Sequence, residues 1–207
     1  MRVKVYDDNI LYLSFPTQKE LVLSLCRPQE FYECNSKKLR GNHFSFDEFI
    51  DHYTDDQGNL TYFSYWAGFN IPGHVLEEFF KTFSLTKREQ KIFEATRKFS
   101  SEPYYVIATK KGDDETLDHE LVHGYYYLNL SYKQEVDIIV RHMRPELKKQ
   151  ATQVLKGMGY TESVMIDEIN AYMATSSTKY LQETLGFDLT IKDIRPFRKL
   201  AKTILRD

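Results

Sequence analysis

Residues 119–123, His119-Glu120-Leu121-Val122-His123, follow the pattern His-Glu-x-x-His: two imidazoles that can hold a metal ion and a carboxylate that can handle a proton. The spacing carries that chemistry only on a helix. There His119 and His123 project from one face, about 40° apart and one turn along the axis. Glu120 lies roughly 60° round from His123, near enough to reach a water beside the metal without ligating the metal. Zinc is the ion this set points to, and a catalytic zinc takes three protein ligands and leaves a position for water. The downstream candidates for the third ligand are Asp137, His142, Asp167 and Glu168. Glu168 is preferred because it falls on a predicted helix. Ala171, three residues on, is small enough for close helix packing, and Tyr172 follows one turn later on the same side.

The elements around the motif must place it. Residues 103–109 have strand composition and end in a Lys110–Asp114 turn. Asp113, Asp114 or Thr116 can then cap a helix whose buried stripe is Leu117, Leu121, Tyr125 and Leu128. Ser131 with Gln134 predicts the start of the next helix, Pro145 the one after it, and Gly157 and Gly159 its end. Thr161 is expected to cap the helix that carries Glu168, and Pro196 to start a last amphipathic helix with a solvated basic face of Arg198, Lys199, Lys202 and Arg206. Upstream, a hairpin is expected over 3–15. A helix capped by Thr17 should end at Pro28, with short strands at Phe31–Cys34 and Leu60–Trp66. Helices should follow Ser45, Gly73 and Thr86.

Composition narrows the function classes. The 207 residues carry 28 basic against 30 acidic side chains, a formal charge of −2, so no overall basic field favours nucleic-acid binding. No run of apolar residues reaches membrane-spanning length, and the first residues contain no apolar targeting core, so no membrane partner and a cytoplasmic location are expected. Secretion without a signal would leave no trace. Cys26 and Cys34 cannot make a disulfide framework and read as reduced thiols. His43, His52 and His74 have no metal spacing.

A strand, the motif helix and a glutamate on a later helix make residues 103–175 resemble the gluzincin metallopeptidases. The usual metzincin pattern is excluded, because no glycine and histidine follow His123 at its spacing. The resemblance implies an α+β fold: a zincin-like domain with a small mixed sheet packed on helices carrying the metal site. That domain would span 1–207, with 1–85 an accessory region and 86–207 the catalytic core. It implies a zinc-dependent peptide or protein hydrolase, with zinc on His119, His123 and Glu168. Metal-activated water would attack an amide carbonyl with Glu120 as general base. In the toxin-type branch a tyrosine about two turns ahead of the glutamate donates to the oxyanion. Tyr160 matches approximately, with Tyr172 and His142 as alternatives. Zincins bind peptides along a sheet edge, a role that Tyr104–Thr109 could fill here, though an ordinary core strand is equally compatible with its sequence. Asp167 either faces solvent or accepts a bond from a ligand histidine. Two other readings stand beside this one. The first is a non-catalytic zincin-fold binding or regulatory protein. The second is a zinc amidohydrolase for a non-peptide or formyl substrate, as in the peptide deformylases, whose upstream cysteine ligand would be Cys34.

Overall fold

The Asp7-Asp8-Asn9 turn joins β1 (Arg2–Asp7) to β2 (Ile10–Phe15), which pair antiparallel with Val3 opposite Leu13 and Val5 opposite Leu11. In this computed structural model, which describes residues 1–34, 36–64, 66–99 and 103–205, the hairpin is half of a four-stranded mixed sheet. β3 (Gly68–Pro72) and β4 (Tyr105–Lys110) complete it in the order β1-β2-β4-β3, with β2 parallel and β3 antiparallel to β4. The chain is mixed α and β and mostly helical.

It falls into two compact units, Met1–Leu117 and Asp118–Asp207. The 85/86 boundary expected from the sequence lies inside the first. That unit holds the sheet with α1 (Gln18–Glu33), α2 (Phe46–Tyr53), α3 (Gly73–Thr82) and α4 (Lys87–Thr96). Leu11, Leu13 and Phe15 of β2, Phe69 and Ile71 of β3, and Val106 and Ala108 of β4 share one core with Leu21, Leu25, Leu76, Phe79 and Ile92.

One of two open readings is decided here and two sequence expectations are corrected. β4 is an inner strand, paired on both sides, so its N–H and C=O groups are already engaged and cannot take up an extended peptide. Its five consecutive buried residues are the pattern of such a strand. Pro28 does not end α1, and residues 31–33 are helix rather than strand. An interior proline costs about 3 kcal/mol, but on this helix Arg27, Glu30 and Phe31 all bury against the unit's core. Finally, Thr61–Ser64 is a 3-10 turn, not a strand. Tyr62 turns fully inward to donate its hydroxyl to the buried Glu30 (2.7 Å), packed by Phe49 and Tyr53. Tyr65 of that stretch lies outside the described residues.

The division falls within α5 (Asp114–Leu128). The second unit continues with α6 (Leu130–Arg141), α7 (Pro145–Gly157), α8 (Met165–Thr175) and α9 (Ile191–Ala201). Three of these bury residues four apart: Tyr132, Val136 and Val140; Leu147, Ala151 and Leu155; Met165, Ile169 and Met173. Each set is one helical face. Asn129, not Ser131, caps α6, accepting the Tyr132 N–H at 3.0 Å. α9 starts at Ile191, five residues before the expected Pro196, because Asp193 accepts the Thr190 N–H (2.7 Å) and closes its first turn. The carbonyl that Pro196 leaves without a helical donor belongs to the exposed Lys192, where water can serve it. Of the basic face, Arg206 lies outside the described residues. Lys199 and Lys202 are exposed, while Arg198 is partly buried and donates to the Ser176 carbonyl. No described helix is long and apolar enough to cross a membrane.

Asp193 also accepts from Arg144 Nε (2.9 Å) and Nη2 (3.2 Å). Those bonds, with the Thr190 N–H and hydroxyl, hold its carboxyl down from 3.8 to about 2. A carboxyl depressed on folding contributes stability that is complete above its unfolded value and lost as pH falls through the folded one. Denaturant titrations from pH 5 to 2 are therefore expected to show an acid loss that Asp193→Asn diminishes. An unchanged pH slope in that variant would refute this linkage.

Candidate metal centre

The turn at Lys111-Gly112 and the Asp113 side chain, which accepts the Thr116 N–H at 3.2 Å, launch α5. The motif therefore sits on a continuous helix, as its spacing requires. His119 and His123 share one face, their Nε2 atoms 3.3 Å apart. α8 brings Glu168 to them, its Oε1 3.7 Å from His123 Nε2. One ligand atom from each of the three lies within 4.8 Å of the others. Among the described residues this is the one such group of histidine, cysteine or carboxylate side chains. Val122, Ala171 and Ala201, from α5, α8 and α9, pack together fully buried.

The donor set fits zinc. With Zn–N and Zn–O bonds of about 2.0–2.1 Å, neighbouring ligands of a tetrahedral ion stand about 3.4 Å apart, close to the 3.3 and 3.7 Å separations here. His123 Nδ1 donates to Asp167 Oδ2 at 2.9 Å, which leaves its Nε2 facing the cluster. Asp167 is thus the acceptor for one of the clustered histidines rather than a solvent-facing residue, and in metal sites such partners commonly orient and strengthen the binding imidazoles. His119 Nδ1 lies 3.3 Å from Thr175 Oγ1.

Burial by itself lowers both imidazoles. At His123 the Asp167 and Glu168 carboxylates, with Glu120 beyond them, outweigh it and hold the ring well above its ordinary value. At His119 burial and then the charge of His123 push the ring down to about 3. The two rings thus face carboxylates converging from α5 and α8. This is an environment that favours a cation.

Glu120, 7% exposed, acts electrostatically on His123, Tyr160 and Tyr172, so its carboxylate belongs to the same site. Tyr160 is delivered by the end of α7. Gly159 takes φ +101°, which a side chain would resist, and the N–H groups of Gly159 and Tyr160 bond back to the Lys156 and Leu155 carbonyls at 3.0 and 3.1 Å. The Tyr160 hydroxyl is 3.3 Å from that of Tyr172, whose ring lies edge-on to His119. Burial, then Glu168, hold the Tyr160 phenol well above its usual range, so it stays a proton donor. Burial pushes Tyr172 up to about 12.

The remaining candidates lie elsewhere. Asp137 accepts the Tyr126 hydroxyl (3.0 Å). The exposed His142 bonds its Nδ1 to the Ile138 carbonyl (2.8 Å), and so is neither ligand nor oxyanion donor in this arrangement. Cys34 belongs to the first unit, its thiol pushed up to about 11 by burial and then by Glu30. His43, His52 and His74 are exposed residues of that unit. Thr175 is the residue the motif gave no reason to expect. The only signal was its helical register, since Glu168, Ala171 and Thr175 stand at i, i+3 and i+7 on one face. Comparison of the chain with protein families, with curated proteins and with solved structures finds no match.

Proposed function

We propose that this chain is a zinc-dependent peptide or protein hydrolase with a zincin-like, gluzincin-type site. The observation that carries the reading is the convergence of His119, His123 and Glu168, with Glu120 beside them on the motif helix. Zinc bound there supplies Lewis acidity, polarising a substrate carbonyl and making water a better nucleophile at neutral pH.

The chain's own groups would do the rest. Glu120 takes a proton from the attacking water and returns it to the departing amide nitrogen. Its burial beside His123 keeps competing water away and holds the carboxylate where that transfer occurs. Tyr160, kept protonated, donates to the oxygen that becomes negative as the carbonyl is attacked. Asp167 holds the His123 ring so that Nε2, not Nδ1, faces the metal.

Metal analysis of protein prepared without chelators tests the site. One zinc per chain at neutral pH is expected, with loss of zinc in Glu168→Ala while circular dichroism stays unchanged. Absence of stoichiometric zinc, or wild-type affinity in Glu168→Ala, would overturn the ligand set. Zinc bound without cleavage of any peptide in a diverse library would favour a binding or regulatory role.

A further inference from the structure

The two histidines are held from behind by different chemistry. His123 gives its Nδ1 proton to a carboxylate, but the group at His119 Nδ1 is the Thr175 hydroxyl, 3.3 Å away. That hydroxyl has one proton, and it is already placed: Thr175 Oγ1 donates to the Ala171 carbonyl at 2.7 Å, a common bond for a threonine within a helix. Toward His119 the oxygen can only accept. His119 must then carry its proton on Nδ1 and present the lone pair of Nε2 to the cluster, the tautomer a metal requires.

We propose that Thr175 is a positioning residue for the metal, selecting the His119 tautomer through this one-way hydrogen bond. The proposal rests on the zinc reading above. The surroundings hold Thr175 in place. It is the last residue of α8, and Arg198 of α9 donates to the Ser176 carbonyl (2.8 Å) and the Thr178 hydroxyl (3.2 Å) just beyond it. Ala171, whose carbonyl accepts the Thr175 hydroxyl, is fully buried against Val122 and Ala201, so the group that orients the hydroxyl is fixed as well. α8 thus supplies a ligand at Glu168 and the outer partners of both histidines, Asp167 at its start and Thr175 at its end. Without the hydroxyl, His119 is free to place its proton on Nε2, where it blocks ligation, or to turn its ring.

Thr175→Val keeps the branched shape and removes the acceptor, whereas Thr175→Ser keeps the acceptor. Zinc affinity, measured by competition with a chromophoric chelator, is expected to fall about 10–100-fold in the valine variant and to stay close to wild type in the serine variant. The visible spectrum of the cobalt-substituted protein should change in the valine variant alone, and the thermal midpoint of the metal-free protein should be similar in all three. Wild-type affinity in Thr175→Val overturns the proposal and leaves the zinc site standing. Equal losses in valine and serine, or a loss explained by unfolding of the metal-free valine variant, assign Thr175 to packing and also overturn it. Failure of the wild type to bind zinc overturns both readings.

Discussion

Glu120→Gln is expected to retain zinc at wild-type affinity and to hydrolyse amide substrates about 10²–10⁴-fold more slowly, the usual worth of a positioned general base. Glutamine preserves the shape and burial of the side chain, which is 7% exposed, but it cannot accept a proton. Because Glu120 is not among the three clustered side chains proposed to hold the metal, zinc content should be indifferent to the change. The measurement pairs zinc content with initial rates on a peptide that the wild type cleaves. Zinc retained with activity lost identifies the base. Activity within a few-fold of wild type would remove Glu120 from that role, and loss of zinc would mean that the carboxylate supports the ligands rather than the reaction. Tyr160 has a separable signature: Tyr160→Phe removes only the oxyanion donor and should act on turnover rather than on metal content.

The second large effect concerns stability. Arg27 of α1 and Glu89 of α4 form a pair whose side chains are 5% and 2% exposed, with Arg27 Nε 2.8 Å from Oε1 and Nη2 2.5 Å from Oε2. Arg27 lies over the rings of Phe79 and Phe83 and donates to the Ser84 carbonyl, while Glu89 also accepts the Thr86 N–H (2.7 Å) that opens α4. Glu89→Ala leaves a buried guanidinium without its counter-charge, which typically costs about 3–5 kcal/mol, and it removes half of a helix cap worth about 1 kcal/mol. Arg27→Met in the same background should recover part of the loss, because the stranded charge is then gone. Trp66, the one tryptophan, lies in the same unit and reports its unfolding in urea. A loss below about 1 kcal/mol in Glu89→Ala would show that the pair is effectively solvated.

The site was more legible in the sequence than the fold around it. His119, Glu120 and His123 lie within five contiguous positions whose meaning needs only a helix, and Leu121 and the local caps supply one. Glu168 was reachable because its own helix has a clear stripe and a small residue beside it. Asp167 was placed on the right helix but its direction was open, because which carboxylate faces inward depends on how α8 packs on α5. Thr175 needed that crossing as well, since it lies 56 positions from the histidine it holds. The missed elements have the same cause. Pro28 and Pro196 read locally as boundaries, but buried neighbours and, at α9, an earlier cap carry the helices through them. The sheet order depends on a parallel pairing of β2 with β4 that no local pattern encodes.

The small contact of Val122, Ala171 and Ala201 has a consequence for how firmly the proposed site would hold its ion. Two imidazoles and one carboxylate already disfavour calcium, which takes about 6–8 oxygen ligands, while zinc bonds of about 2.0–2.1 Å leave little slack in how Glu168 is placed against the two histidines. Val122, Ala171 and Ala201 pack there with 0–2% exposure and leave no room to spare. Enlarging Ala171 would widen the gap on the axis of the helix that carries Glu168, without altering any ligand. The hold on the ion would then depend on packing as much as on the donors: a methyl group one turn from Glu168 would act on the metal without touching it.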